Sequence, residues 1–203
     1  MLRRLMFLAF LGVVASLLWM APAASAASVG GCQLDGSAGF TPGLNNNAQN
    51  FQYIFHGDLT NCAASASGAP SSGTVSAGEV VFVNLQMFQE PVPTGNGGCS
   101  NSTTSGTAIV TWSDGTQTVV RYSTTGALAA VHLQGTVIPS VTLPAISPQP
   151  GQPTSTTITT TRYAGDSAHG LLAFEPPDPT ACTTPAGVTN AGIGGGIGLA
   201  NPS

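Results

Sequence analysis

The chain has 203 residues, with eight acidic and four basic side chains and a formal net charge of −4. It contains no lysine, and outside the N-terminal segment its only basic side chains are Arg121 and Arg162. Proteins bind nucleic acid mainly by neutralising phosphates with Lys and Arg, and they dock on anionic lipid through basic clusters. The composition therefore argues against both kinds of partner, and the length suits one domain.

The N-terminal segment has the pattern of a secretory signal peptide. A pair of arginines precedes an apolar run over residues 5–20, and small residues follow up to Ala26. We expect cleavage of residues 1–26, which leaves residues 27–203 as a single secreted β domain, extracellular or associated with the cell envelope. An uncleaved anchor helix is one alternative, although the run is short for a membrane span. A lipoprotein anchored through Cys32 is another.

Four cysteines follow the predicted cleavage point. An even number of cysteines in a secreted protein indicates disulfides, here two. Of the three possible pairings we favour Cys32–Cys62 and Cys99–Cys182, since local pairing suits antiparallel neighbours and the second bond closes a long loop. There is no C-x-x-C spacing, so neither a zinc–thiolate nor a redox site is predicted.

Strand patterns recur along the mature chain, whereas helix patterns are nearly absent. About eight antiparallel strands are predicted, which gives an all-β fold stabilised by disulfides. Both an up-and-down β-barrel and a two-sheet β-sandwich fit this pattern, and the short connections favour the barrel. The predicted strands cover residues 51–59, 73–85, 108–112, 118–122, 128–137, 156–163, 169–174 and 188–199.

The segments between the predicted strands also have patterns that indicate their structure. Asp114-Gly115 between two alternating runs predicts a hairpin with a type I′ turn. The proline-rich segment 139–153 is either a long excursion or a crossing between sheets. Segments 45–50 and 91–105 are interpreted as polar surface loops.

The stretch "YIFHGDLTNC" places three reactive side-chain types close together. Because side chains alternate between the faces of a strand, Phe55 and Leu59 are expected in the core. His56, Asp58 and Cys62 are then expected together on the other face. This arrangement fits a solvated strand face, and it also makes His56 and Asp58 a plausible His–carboxylate neighbour pair.

Catalytic chemistry would need further residues. A secreted hydrolase or metalloenzyme would combine His56 and Asp58 with His132 or His169. The chain has no H-E-x-x-H or G-x-S-x-G motif, so we predict no catalytic, metal or cofactor-binding residues and no cofactor. Glu90, which precedes a proline, is interpreted as an ordinary loop residue.

Trp112 and Arg121 give the only hint of a pocket. Trp112 is interpreted as a core plug or as an exposed platform for a sugar or peptide. Arg121 is expected on the same face as Val110 and Val119, where it would cap a barrel end or lie in a lumen. The candidate ligand-facing residues are Trp112, Arg121, His56 and Asp58.

The chain resembles, in general character, the small secreted β-proteins of high-GC Gram-positive bacteria. The likeness lies in the signal peptide, the Thr/Gly-rich strands and the four cysteines, and it implies no function. The leading hypothesis is a non-catalytic domain for extracellular binding or for structure in the cell envelope. One alternative is a carrier with a small ligand in a barrel lumen, and another is the hydrolase or metalloenzyme. The candidate partners are a cell-wall component or a small molecule, with no membrane span after cleavage.

Overall fold

The computed structural model describes residues 28–65 and 67–201, so the predicted signal peptide lies outside the described residues. In that part of the chain no helix is long and apolar enough to cross a membrane, and a short 3-10 helix covers Pro179–Thr183. The strands are β1 (Ser28–Leu44), β2 (Gln49–Ala64), β3 (Gly73–Ala77), β4 (Val80–Val83), β5 (Gln86–Gln89), β6 (Thr94–Gly97), β7 (Asn101–Trp112), β8 (Gln117–Ala127), β9 (Ala130–Ile138), β10 (Ser140–Pro144), β11 (Ser155–Thr159), β12 (Ser167–Glu175) and β13 (Val188–Ala200).

Eight strand positions close into an antiparallel barrel. Strands β1, β2, β3, β7, β8, β9, β12 and β13 pair in that order, and β13 pairs back with β1. Each barrel strand is thus bonded to the next barrel strand in the chain, which is an up-and-down barrel. The all-β prediction is confirmed, and the structure decides for the barrel over the sandwich.

The third position of the barrel wall is occupied by two strands end to end. Both β3 and β6 pair with β2 on one side and with β7 on the other. The chain leaves the wall at Gly78, whose φ of 78° is a left-handed conformation, and returns at Thr94. The prediction of one long or bulged strand over 73–85 is therefore wrong, because Gly78, which has no Cβ, lets the chain turn out of the wall between β3 and β4. Segment 91–105 was predicted to be a polar surface loop. This prediction is also wrong, because the segment contains β6 and the start of β7.

Two hairpins cover one side of the barrel from outside. The pairs β4–β5 and β10–β11 are joined by a bridge between Phe88 and Ala145. Phe88 and Leu143 pack with Ile109 on the outer face of β7 in a second, smaller core. Part of segment 139–153 is thus strand β10, in a hairpin on the outside of the barrel.

The outer face of the β4–β5 hairpin stays apolar and exposed. Its exposed side chains are Val80, Phe82, Leu85 and Met87, and Leu85 at the tip is 99% exposed. These four residues, called here the hairpin patch, lie outside the barrel and do not line its lumen.

Two disulfides lie near opposite ends of the barrel, with the pairing that the sequence favours. Cys32–Cys62 joins β1 to β2. Cys99–Cys182 joins the β6–β7 turn to the 3-10 helix, across the other end. No free cysteine occurs among the described residues.

A bulge in β2 changes the face on which Cys62 lies. The β1–β2 register shifts between Gly31 and Gln33, opposite Asn61, whose φ is 50°. An extra residue in one strand reverses the alternation beyond it. Cys62 consequently lines the lumen, and the prediction that it shares a face with His56 is wrong.

The Asp114-Gly115 hairpin forms as predicted but with a different turn. Gly115 has a φ of 80°, whereas Asp114 is not among the residues with positive φ. The Gly115 amide donates to the Trp112 carbonyl and the Trp112 amide donates to the Thr116 carbonyl. This is a type I turn followed by a left-handed glycine, rather than a type I′ turn.

Candidate functional site

The barrel lumen contains a cavity of about 170 Å³. Every one of the eight strand positions contributes side chains to its wall, and none of the described lining residues is Asp, Glu, Lys or Arg. The lining is mainly aliphatic and aromatic; it includes Leu34, Leu59, Val75, Val110, Val120, Leu172, Ile193 and Ile197.

Trp112 closes one end of the lumen. Its indole Nε1 donates to Thr118 Oγ1 at 2.9 Å, and its ring meets the Tyr163 ring edge-on with centroids 5.5 Å apart. The side chain is 6% exposed. Of the two interpretations of Trp112, the core plug is therefore right and the exposed platform is wrong. Trp112 also lines the cavity, and its contact with a ligand stays a prediction.

An aromatic cluster occupies the opposite end. The Phe40 ring lies about 6 Å, centroid to centroid, from the rings of Phe51, Tyr53 and Phe174. These rings lie towards the end that Cys99–Cys182 crosses, and Cys99 and Cys182 pack against the same cluster. Both ends of the lumen are thus lined by aromatic side chains.

Four hydroxyl groups form a chain within this mainly apolar wall, whose other polar side chains include Ser102, Thr118 and His169. The Tyr53 hydroxyl bonds to the Tyr122 hydroxyl at 2.7 Å and to Thr104 Oγ1 at 3.1 Å. Thr104 Oγ1 bonds in turn to Thr124 Oγ1 at 2.8 Å. All four residues line the cavity. They make one polar spot, called here the hydroxyl chain.

Burial keeps both phenols of the hydroxyl chain neutral. Desolvation raises the pKa of Tyr53, although its hydrogen bonds with Thr104 and Tyr122 oppose the change. Desolvation also raises the pKa of Tyr122 well above its usual value, and the neighbouring Tyr53 adds to this. A neutral phenol both donates and accepts a hydrogen bond, so this spot can bind an uncharged polar group.

Three of the candidate ligand-facing residues lie outside the lumen. His56 and Asp58 are exposed on the outer face of β2, where the nearest ionic partner of His56 is Glu79, with 3.5 Å between Nδ1 and Oε2. Arg121 alternates with the lumen-lining Val120 and is exposed on the outer face of β8. The expected common face for Val110 and Arg121 is wrong, because Val110 lines the lumen.

The three histidines are not brought together. His56 lies on β2, which is across the barrel from β9, the strand of His132. His132 and His169 lie on neighbouring strands and are both exposed. Within residues 28–65 and 67–201, no group of three or more His, Cys, Asp and Glu side chains is placed to hold a metal ion. The hypothetical hydrolase or metal site, which would combine His56 and Asp58 with His132 or His169, is therefore not assembled.

Glu90 is a buried acid that sequence reasoning missed. It is only 1% exposed, beside the point where the chain leaves the barrel wall. Its carboxylate accepts a bond from Ser76 Oγ at 2.6 Å and one from the Glu79 amide at 3.0 Å. Burial raises the pKa of Glu90. Its interpretation as an ordinary loop residue is wrong, and no pattern in the sequence marks it beyond an acid between two strand signals.

The fold and cavity together define a disulfide-bonded, closed up-and-down β-barrel with an apolar lumen. Compared with known proteins, the chain matches no family model, no curated protein and no solved structure. Its function must therefore be argued from the geometry of its own residues.

Proposed function

We propose that the protein is a non-catalytic binding protein that holds a small apolar molecule inside the barrel. The observation that carries this proposal is the largely apolar cavity of about 170 Å³ in the lumen, whose described wall holds no Asp, Glu, Lys or Arg. An engineered apolar cavity of roughly 150 Å³ binds benzene. A molecule the size of a single substituted ring therefore matches the space.

The physical gain comes from removing apolar surface from water on both partners. The walls lose little on binding because they present almost no polar groups that would need a replacement partner. A small aromatic hydrocarbon buried in such a site gains on the order of 5 kcal/mol, which corresponds to a dissociation constant of about 0.1–1 mM. A natural ligand that uses the polar spot as well would bind more tightly.

Titration calorimetry with toluene tests the proposal. We expect saturable binding to the wild type and at least about tenfold weaker binding to Val120→Phe, because Val120 lines the cavity and the larger ring would occupy it. Val80→Phe is the matched control, since Val80 lies in the exposed hairpin patch. It should bind toluene as the wild type does.

The opposite results would overturn the proposal. A purely structural role in the cell envelope predicts no saturable heat with any of the three proteins. Toluene should also raise the unfolding temperature of the wild type, because a ligand that binds only the folded state stabilises it. Absence of that shift in the wild type would count against the lumen site even if Val120→Phe failed to fold.

We propose further that the protein acts outside the cytoplasm. The two disulfides support this, because such bonds persist in oxidising compartments. The intact mass of the protein recovered from its own culture medium should begin at Ala27 and lack four hydrogens. A lipid adduct on Cys32, or a mass that includes residues 1–26, would contradict secretion as a free protein.

A further inference from the structure

We infer that the ligand is neutral and carries one hydroxyl or carbonyl group, which the hydroxyl chain of Tyr53, Tyr122, Thr104 and Thr124 binds. This inference rests on the proposed function, because it concerns the same lumen. Beyond the proposed function, it specifies the chemical class of the ligand and the end of the lumen at which the ligand's polar group lies.

The four hydroxyl groups of the hydroxyl chain carry more protons than the bonds between them use. Four hydroxyl groups carry four protons, and the three bonds of the chain use three of them. One proton and several oxygen lone pairs are therefore left to offer to a further partner. A polar atom on the ligand can receive that proton or donate to a lone pair.

The surroundings of the hydroxyl chain set the charge of that partner. The cavity wall holds no Asp, Glu, Lys or Arg among its described residues, and its one histidine there, His169, is exposed and lies at the end away from the hydroxyl chain. An ionised group at the hydroxyl chain would therefore lose its hydration with no opposite charge beside it. A neutral hydroxyl or carbonyl loses much less, and one hydrogen bond to the chain compensates it.

The position of the hydroxyl chain sets the orientation. Tyr53 belongs to the same aromatic cluster as Phe40 and Phe51, towards the end of the barrel that the Cys99–Cys182 bond crosses. The cavity lining in the other direction is mainly aliphatic up to Trp112, and the Thr118 hydroxyl there already accepts from Trp112 Nε1 and donates to the Arg162 carbonyl. The ligand therefore points its polar group towards the Cys99–Cys182 end and its apolar part towards Trp112.

Two probes that differ by one hydroxyl group test the inference. Toluene and p-cresol share the ring and the methyl group, so their affinity ratio reports the polar contact. We expect the wild type to bind p-cresol at least as tightly as toluene. In the double variant Tyr53→Phe/Tyr122→Phe, the p-cresol:toluene affinity ratio should fall about tenfold, the loss expected for one hydrogen bond.

Tyr163→Phe is the matched control. Tyr163 also lines the cavity, but it lies against Trp112 at the far end and outside the hydroxyl chain, so the ratio should stay within about twofold of the wild type. If the double variant does not fold, Tyr122→Phe alone removes the terminal phenol, and the ratio should fall by about two- to fivefold. The charged analogue p-toluate should bind at least about tenfold more weakly than p-cresol.

The outcomes separate the two proposals. If toluene binds the wild type but the ratio is unchanged by Tyr53→Phe/Tyr122→Phe, the inferred ligand class is wrong and the apolar lumen site stands. Tight binding of p-toluate would also overturn the inferred class. If neither toluene nor p-cresol binds the wild type, the proposed function itself fails.

Discussion

Replacing Cys99 and Cys182 together with serine should lower the free energy of unfolding by about 4.5 kcal/mol. The two residues are 83 apart in sequence. A bond that closes a loop of this length removes that much chain entropy from the unfolded state. The bond also holds the β6–β7 turn against the 3-10 helix over one end of the barrel.

The other disulfide supplies the matched control. Cys32 and Cys62 are 30 residues apart, so their replacement by serine should cost about 3.6 kcal/mol on the same basis. Urea unfolding of the two double variants and the wild type measures both losses. Equal losses, or a larger loss for the Cys32/Cys62 variant, would contradict the view that the long loop makes the larger contribution.

Replacing Glu90 with alanine should lower the free energy of unfolding by about 2–3 kcal/mol. The buried carboxylate is the acceptor for Ser76 Oγ and for the Glu79 amide, and alanine leaves both donors without it. Glu175→Ala is the control, since Glu175 is exposed and its loss should cost less than about 0.5 kcal/mol. Denaturant unfolding at neutral pH checks the comparison, and equal losses would show that Glu90 has no special structural role.

The raised pKa of Glu90 predicts a pH dependence with a definite sign. Because the folded protein holds the proton more tightly than the unfolded chain, the stability from this group is complete below pH 4.5, where an unperturbed glutamate titrates, and is lost as the pH rises through the folded pKa. The difference in unfolding free energy between wild type and Glu90→Gln should therefore fall as pH rises, by at most about 1.4 kcal/mol per pH unit. For the control Glu175→Gln, at an exposed position, the difference in unfolding free energy from the wild type should not fall with pH in this way. A difference that rises with pH would mean that the folded pKa of Glu90 is lowered.

The sequence predicts strands at seven of the eight barrel positions, because hydrophobic alternation and turn residues are local signals, but it misses β1 (Ser28–Leu44). Residues 51–59 alternate, and Phe55 and Leu59 do face the lumen, as that pattern indicates. The Asp114-Gly115 hairpin is likewise local. Closure of the barrel is a long-range event, since β1 and β13 meet from opposite ends of the chain, and only the number of strands and the short connections favoured it.

Predictions failed where one residue changed the course of a strand. The bulge at Asn61 reverses the side of Cys62, and Gly78 takes the chain out of the wall. Neither residue differs in type from the many other Asn and Gly residues in the chain. Their effect depends on pairing partners that are distant in sequence.

The candidate site was only partly predictable for the same reason. Trp112 could be associated with a pocket, but the hydroxyl chain joins residues from β2, β7 and β8, and its most distant directly bonded pair is 69 residues apart. Tyr53 and Tyr122 look like ordinary strand residues until the barrel closes. Conversely, the side-chain types of His56 and Asp58 made them candidates in the sequence, but both residues lie on the strand face that points to solvent.

The most direct measurement of the lumen proposal is a methyl NMR spectrum of the wild-type protein with and without toluene. Binding in the lumen predicts shifts in the methyl signals of Leu59, Val75 and Leu172, which line the cavity, and unchanged signals from Val80 and Leu85 in the hairpin patch. Shifts confined to Val80 and Leu85, or no saturable shift at all, would contradict a ligand-binding lumen.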